Sequence, residues 1–343
     1  MTTDFLELQK KNKRTTRWLL LASFLLVFIV SFVAGLALTG FLGFGIFALL
    51  LSGTLTFFQY RKSSSLALRA TGAIPADPDE YAQLHNLVEE MALASGLPKP
   101  DVYIVIDPAP NAFATGRDPE NAAVAATTGL LEKLDRNELQ GVIAHEMAHI
   151  RNYDIRVMTV AAATAGAVAI MADLFWRIAF FGGLGGNRNR SSNNRGGGPQ
   201  AIIVVVAFIF VTVLAPLAAA LLKAAVSRSR EELADATAVE LTRNPSGIRM
   251  ALEKLDHDVT VVRKTSHATS HLWIESPDDH VKGHRGKRMN DMFNTHPPLS
   301  ERINLLRKME GLPPYLSSQE SGRDSQDPVP PPVGGCVNHG PPR

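Results

Sequence analysis

Two histidines one helical turn apart, with a glutamate beside the first, sit in the segment Leu139–Asp154, LQGVIAHEMAHIRNYD. They are His145, Glu146 and His149. At i and i+4 on a helix, two imidazoles share one face and can reach a single metal ion, with Glu146 projecting beside them. Such a site takes a third protein ligand from elsewhere and keeps a fourth position for water, whose pKa falls toward neutrality on the metal. Glu146 is then placed to accept that water's proton. Leu139, Val142, Ile143, Met147 and Ile150 supply apolar positions at helical spacing, so the segment is expected to be a helix with a polar insertion. Two histidines on a helix also occur simply as satisfied polar residues, so a third ligand has to decide.

Ser227–Leu241, SRSREELADATAVEL, is a strong helix former that carries candidates for it. Glu231 and Asp235 stand one turn apart: Glu231 would ligate the metal, and Asp235 would hydrogen-bond the second nitrogen of a ligand histidine. Glu232 competes for the first role. The same helix, read alone, is a salt-bridged surface.

Both segments must be carried by elements that bring them together. From Trp18 to Tyr60 no residue is charged, about twice the roughly 20 residues that cross a hydrocarbon core as a helix. Two spans are expected, turning near the glycine cluster Gly35–Gly45. Lys10, Lys11, Lys13, Arg14 and Arg17 precede this hairpin and Arg61 and Lys62 follow it, which puts both ends in the cytoplasm by the positive-inside rule. Ala201–Leu222 is a third expected span. Val157–Phe181 is weaker because it holds Asp173 and Arg177, four residues apart. If His145, His149 and Glu231 share a metal, an even number of crossings separates them, so Val157–Phe181 and Ala201–Leu222 are expected to form a second hairpin around the Gly/Asn/Ser-rich loop 182–200.

The composition agrees with soluble lobes on a membrane part. Mean hydropathy is close to zero, yet apolar residues come in blocks with charged stretches between them. A formal charge of +2 and scattered basic residues argue against a nucleic-acid partner. The single cysteine, Cys336, rules out an intrachain disulfide framework. His267, His271, His280 and His284 sit in a polar stretch, 256–292, without helical phase, and read as a solvated loop. From Pro313 onward Pro, Ser, Gln and Gly dominate, which predicts a disordered tail.

Taken together, HEMAHIRNYD, SRSREELADATAVEL, the N-terminal hairpin, PNAFATG (Pro110–Gly116) and THPPLSERI (Thr295–Ile303) resemble the HtpX-type membrane zinc peptidases, glutamate-ligand zincins related to the CAAX prenyl proteases. The motifs stand in the family's order across most of residues 15–310. The resemblance implies a zinc endopeptidase, one zinc per chain, that cleaves membrane proteins in quality control with its active site facing the cytoplasm of a bacterial inner membrane. It implies His145, His149 and Glu231 as ligands, Glu146 as base, Asp235 as the partner of a ligand histidine, Arg302 as a brace and His296 as a donor to the oxyanion. It also implies that Asn111, Ala112, Phe113 and Ala114 form an edge strand to which an extended substrate adds. The expected fold is an α+β zincin domain, mostly α-helical, on about four transmembrane helices. Its parts are a tail (1–17), a hairpin (18–60), a first catalytic segment (61–156), a second hairpin (157–222), a second catalytic segment (223–312) and a tail (313–343). Membrane proteins or peptides and the lipid bilayer are the expected partners. A protease for lipidated C-termini and a non-catalytic scaffold with a structural metal are the other readings, and no motif speaks to oligomeric state.

Overall fold

The computed structural model describes residues 2–39, 43–177, 228–258, 260–263, 269, 272–275 and 298–315. Two long helices come first, α1 (Thr2–Thr39) and α2 (Phe44–Thr71), ending and starting on either side of the expected turn. Helix α2 continues past Tyr60, and its Ala67 and Leu68 enter the core beneath the sheet. Then follow β1 (Ile74–Pro75), α3 (Ala82–Ser95), β2 (Asp101–Val105), β3 (Ala112–Gly116), β4 (Ala122–Thr127), α4 (Thr128–Lys133), α5 (Arg136–Arg151) and α6 (Asp154–Arg177). Beyond the residues outside the description come α7 (Arg228–Thr242), α8 (Pro245–His257) and α9 (Leu299–Met309).

The four strands are ordered β1-β2-β4-β3, with β2 and β4 parallel and the outer pairs antiparallel. Alternation along each strand sends side chains to opposite faces. Val102, Ile104, Ala112, Ala114, Val124 and Ala126 pack toward α3, α5, α8 and α9. Val105, Phe113, Ala123 and Ala125 face the other way, against Ala67 and Leu68 of α2 and Met158 and Ala162 of α6. The sheet therefore lies between the helix that carries the histidines and the helices that lead from the expected membrane part. Among the described residues the domain is helix-rich with one small sheet, as the α+β reading expects.

Helix α5 starts on a capping box: Asp135 accepts from the Glu138 backbone N–H, and the Glu138 carboxylate accepts from the Asp135 N–H at 2.8 Å. Its middle crosses α8 at very close range. A Cβ at Gly141 would collide with the backbone nitrogen of Ile248, and one at Gly247 would stand 2.6 Å from the Asn137 carbonyl oxygen. Only glycine lets the two backbones approach this far. Gly141→Ala is expected to push α8 off α5 and to cost about 1–3 kcal/mol, the usual range for overpacking, read as a lower midpoint in denaturant unfolding at unchanged m-value.

Among the described residues no helix is long and apolar enough to cross a membrane. The expected span Ala201–Leu222, the loop 182–200 and the tail from residue 316 lie outside them, and most of the histidine-bearing stretch does as well. Only the backbone of α6 is described beyond Gly166, so the side chains of Asp173 and Arg177 lie outside too.

Candidate metal centre

Helix α5 presents His145 and His149 on its buried face, their Nε2 atoms 3.2 Å apart. Helix α7 brings Glu231 to the same point, with carboxylate oxygens 3.5 Å from His145 Nε2 and 3.7 Å from His149 Nε2. One ligand atom from each of the three lies within 4.8 Å of the other two. Zinc bonds of about 2.0–2.2 Å at tetrahedral angles place ligand atoms about 3.4 Å apart. The donor set, two imidazoles and a carboxylate, and its spacing both fit such an ion. Glu232 is exposed, whereas Glu231, Ala234, Asp235 and Ala238 share the buried face, so helical phase separates the two adjacent glutamates.

Each histidine is held from behind. His145 Nδ1 stands 2.9 Å from Asp235 Oδ1, and His149 Nδ1 stands 3.2 Å from Asp154 Oδ2. A carboxylate on Nδ1 fixes the tautomer that leaves Nε2 free for a metal. Asp235 is held in turn by a two-pronged bond from Arg302 on α9, Nε to Oδ2 at 2.9 Å and Nη2 to Oδ1 at 2.6 Å. Arg302 also lies 3.5 Å from Glu231 Oε2, so the expected brace touches both the ligand and the partner of a ligand.

The electrostatics follow from burial. Desolvation raises the Asp235 carboxyl, but the adjacent Arg302 charge, its hydrogen bonds and His145 outweigh it and hold Asp235 at about 2. At His145, burial and the Arg302 charge both disfavour the imidazolium, yet hydrogen bonds to Asp235 and Glu231 prevail and raise it to about 9. The Glu146 carboxyl is pushed up by burial, with His145 and His149 opposing.

A metal ion therefore competes with a proton at His145. In the metal-free fold the raised imidazole contributes stability that is fully present below about pH 6.5, the unfolded value, and is lost as pH rises through about 9. Metal loading loses its proton competitor over the same window. The gap in thermal midpoint between metal-loaded and metal-free protein is expected to widen from pH 6.5 to 9, as differential scanning fluorimetry on paired samples will show. A constant gap would contradict it.

The expected substrate strand lies beside this centre. The Ala114 backbone amide favours the ionised form of the Glu146 carboxylate, so β3 lies beside the base. The other end of the strand is covered by the chain itself. Ile274 N–H donates to the Ala112 carbonyl at 2.9 Å, and Asn111 Nδ2 donates to the Glu275 carbonyl at 2.8 Å. Phe113 points to the far face and packs edge-on against Trp273, ring centroids 4.7 Å apart. An extended peptide adding here competes with residues 272–275 for the Ala112 carbonyl. His296 lies outside the described residues. Neither the contact of Asp154 with His149 nor the covering of β3 was foreseen in the sequence; for Asp154, the signal was an acid five residues beyond the second histidine.

The fold and the converging donors define a metallopeptidase. A profile of peptidase family M48 matches residues 78–310. The chain is 46% identical over 302 residues to a protease HtpX homolog of Listeria innocua, covering 87% of this chain and 97% of the relative. It is 44% identical to one of Streptococcus gordonii, with 87% and 97% covered, and 41% identical to one of Caldanaerobacter subterraneus subsp. tengcongensis, with 88% and 97% covered. The chain belongs to peptidase family M48, and within it to the HtpX-type metallopeptidases.

Proposed function

We propose that this chain is a zinc-dependent endopeptidase anchored in a bacterial inner membrane, hydrolysing peptide bonds of damaged or misassembled membrane proteins at its cytoplasmic side. The observation that carries the reading is the convergence of His145, His149 and Glu231 at zinc spacing, with Glu146 adjacent and beside the expected substrate strand.

Zinc held by these three would polarise the scissile carbonyl and acidify a bound water. The rest is the work of the chain. Glu146 takes the proton from the attacking water and returns it to the leaving amine, a task favoured by the raised affinity for protons that burial gives it. Asp235 and Asp154 keep Nε2 of each histidine turned inward. Once Ile274 N–H releases the Ala112 carbonyl, that group and the Ala114 N–H would offer backbone bonds to an extended substrate without reading its sequence, which suits unfolded stretches of many proteins.

The membrane part of the reading is supported by how α1 and α2 divide their faces. Trp18, Leu21, Leu25 and Ile29 are exposed at helical spacing on α1, and Ile46, Leu49, Leu50, Phe57 and Phe58 are exposed on α2. Polar groups point inward: Ser23 Oγ donates to Gln59 at 2.9 Å and Gln59 Nε2 donates to Thr164 at 2.8 Å, tying α1, α2 and α6 together. Apolar outside and polar inside is the arrangement lipid favours.

The test is cleavage of one unfolded substrate presented in two forms, free in solution and fused to a membrane anchor in the same liposomes. Full-length protein is expected to lose activity to a chelator, regain it with zinc and prefer the anchored form. Chelator-resistant cleavage would end the zinc reading, and equal rates on both forms would end the membrane-substrate reading.

A further inference from the structure

Helix α1 reaches the metal centre through one buried amide. Asn12 is fully buried, and its Nδ2 donates to the Asn152 backbone carbonyl at 2.9 Å and to Asp154 Oδ1 at 2.7 Å. Both neighbours only accept, so chemistry fixes the amide with its nitrogen toward them. Gln9 Nε2, three residues earlier, donates to the Arg151 carbonyl at 3.0 Å, and the Lys13 ammonium sits 4.2 Å from the centre of the Tyr153 ring. Three residues on one face of α1 thus grip residues 151–154, the turn between α5 and α6.

That turn is strained and it matters where it ends. Tyr153 has φ of 60°, a left-handed conformation that a bulky residue keeps only when its surroundings hold it. The next residue is Asp154, whose Oδ2 faces His149 Nδ1 at 3.2 Å while its Oδ1 takes Asn12 and lies 3.4 Å from Arg230 Nε. Arg230 directly precedes the third candidate ligand, Glu231. A short chain of contacts therefore runs Asn12, Asp154, His149, from outside the catalytic lobe to the metal position.

We propose that Asp154 is the positioning residue of His149 and that Asn12 positions Asp154, so that docking of α1 sets the metal affinity of the site. This rests on the zinc reading above. Losing the carboxylate frees the His149 ring to turn and to choose the other tautomer, which lowers affinity by about 10- to 100-fold in comparable sites. Losing the Asn12 amide leaves Asp154 with Arg230 on Oδ1 and His149 on Oδ2, and has the smaller effect.

The experiment is zinc affinity of the full-length protein in detergent, by competition with a chromophoric chelator, for wild type, Asp154→Ala, Asn12→Ala, the double variant and Glu231→Ala. Asp154→Ala is expected to raise Kd by about 10- to 100-fold, and Asn12→Ala by less, roughly three- to tenfold, because it acts one contact further from the ligand. The double variant should match Asp154→Ala alone, because Asn12 acts through Asp154. Metal-free melting midpoints close to wild type show that the shifts are not unfolding, and Asn12→Ala keeps the test open should Asp154→Ala fold poorly. If Glu231→Ala loses zinc while Asn12→Ala and Asp154→Ala bind within twofold of wild type, the relay is overturned and the zinc site stands. Fully additive effects also overturn it. If Glu231→Ala binds like wild type, the zinc reading itself falls and takes the relay with it.

Discussion

Glu146→Gln is expected to lower the rate of peptide hydrolysis by about 10²–10⁴-fold, the range a positioned general base contributes, while zinc content stays at the wild-type level. The glutamine matches the glutamate in shape and keeps an acceptor oxygen, so the site should not collapse. What it cannot do is take a proton. Stability should move the other way. Glu146 is buried and its carboxyl is raised by desolvation, so replacing a buried charge by a neutral amide removes a cost of the native state. A thermal midpoint equal to or above wild type, beside a lost rate, is the expected pair of results. Glu146→Asp sharpens the test: the carboxylate remains but withdraws by about 1 Å, and a misplacement of that size costs about 10²-fold. Equal cleavage by Glu146→Gln and wild type would remove the base from the mechanism.

Arg302→Met carries the largest expected loss of stability. Arg302 and Asp235 are both buried and joined by two hydrogen bonds, and removing one partner of such a pair costs about 3–5 kcal/mol because the other is left charged and unpaired. That is a large share of the roughly 5–15 kcal/mol a domain has. Metal binding should weaken with it, since Asp235 sets the His145 ring. The double replacement Arg302→Met with Asp235→Leu separates the two effects. With both charges gone, stability should recover in large part, whereas zinc affinity should stay low because His145 Nδ1 has lost its acceptor. Denaturant unfolding and metal titration on wild type, Arg302→Met and the double variant read this directly. A double variant that recovers zinc affinity as well would show that Asp235 does not orient His145.

Local patterns made much of this protein legible. The apolar spacing in Leu139–Ile150 marks α5. The alternation in VYIVI marks β2. The alanine-rich run Ala122–Thr127 gave no strand signal, because alanine has little β-propensity; only pairing with β2 and β3 on both sides makes it the centre of the sheet. Its small side chains fill both faces where α5 and α6 come close.

The catalytic types and their local order are written in the chain itself: His145, Glu146 and His149 at helical spacing, and Glu231 one turn before Asp235. Short-range rules suffice there, since residues three or four apart on a helix must share a face. The sequence also carries the uncharged run Trp18–Tyr60. Spacing left Glu232 competing with Glu231, and the phase in which α7 packs on α5 buries Glu231, the one the resemblance implies, with the histidines. The bond of Asn12 to Asp154, the meeting of Gly141 with Ile248 and the cover that residues 272–275 lay over β3 were likewise decided in three dimensions. Each joins segments distant in the chain, and no periodicity connects such partners; packing density and the need to satisfy buried polar groups select them once the elements assemble.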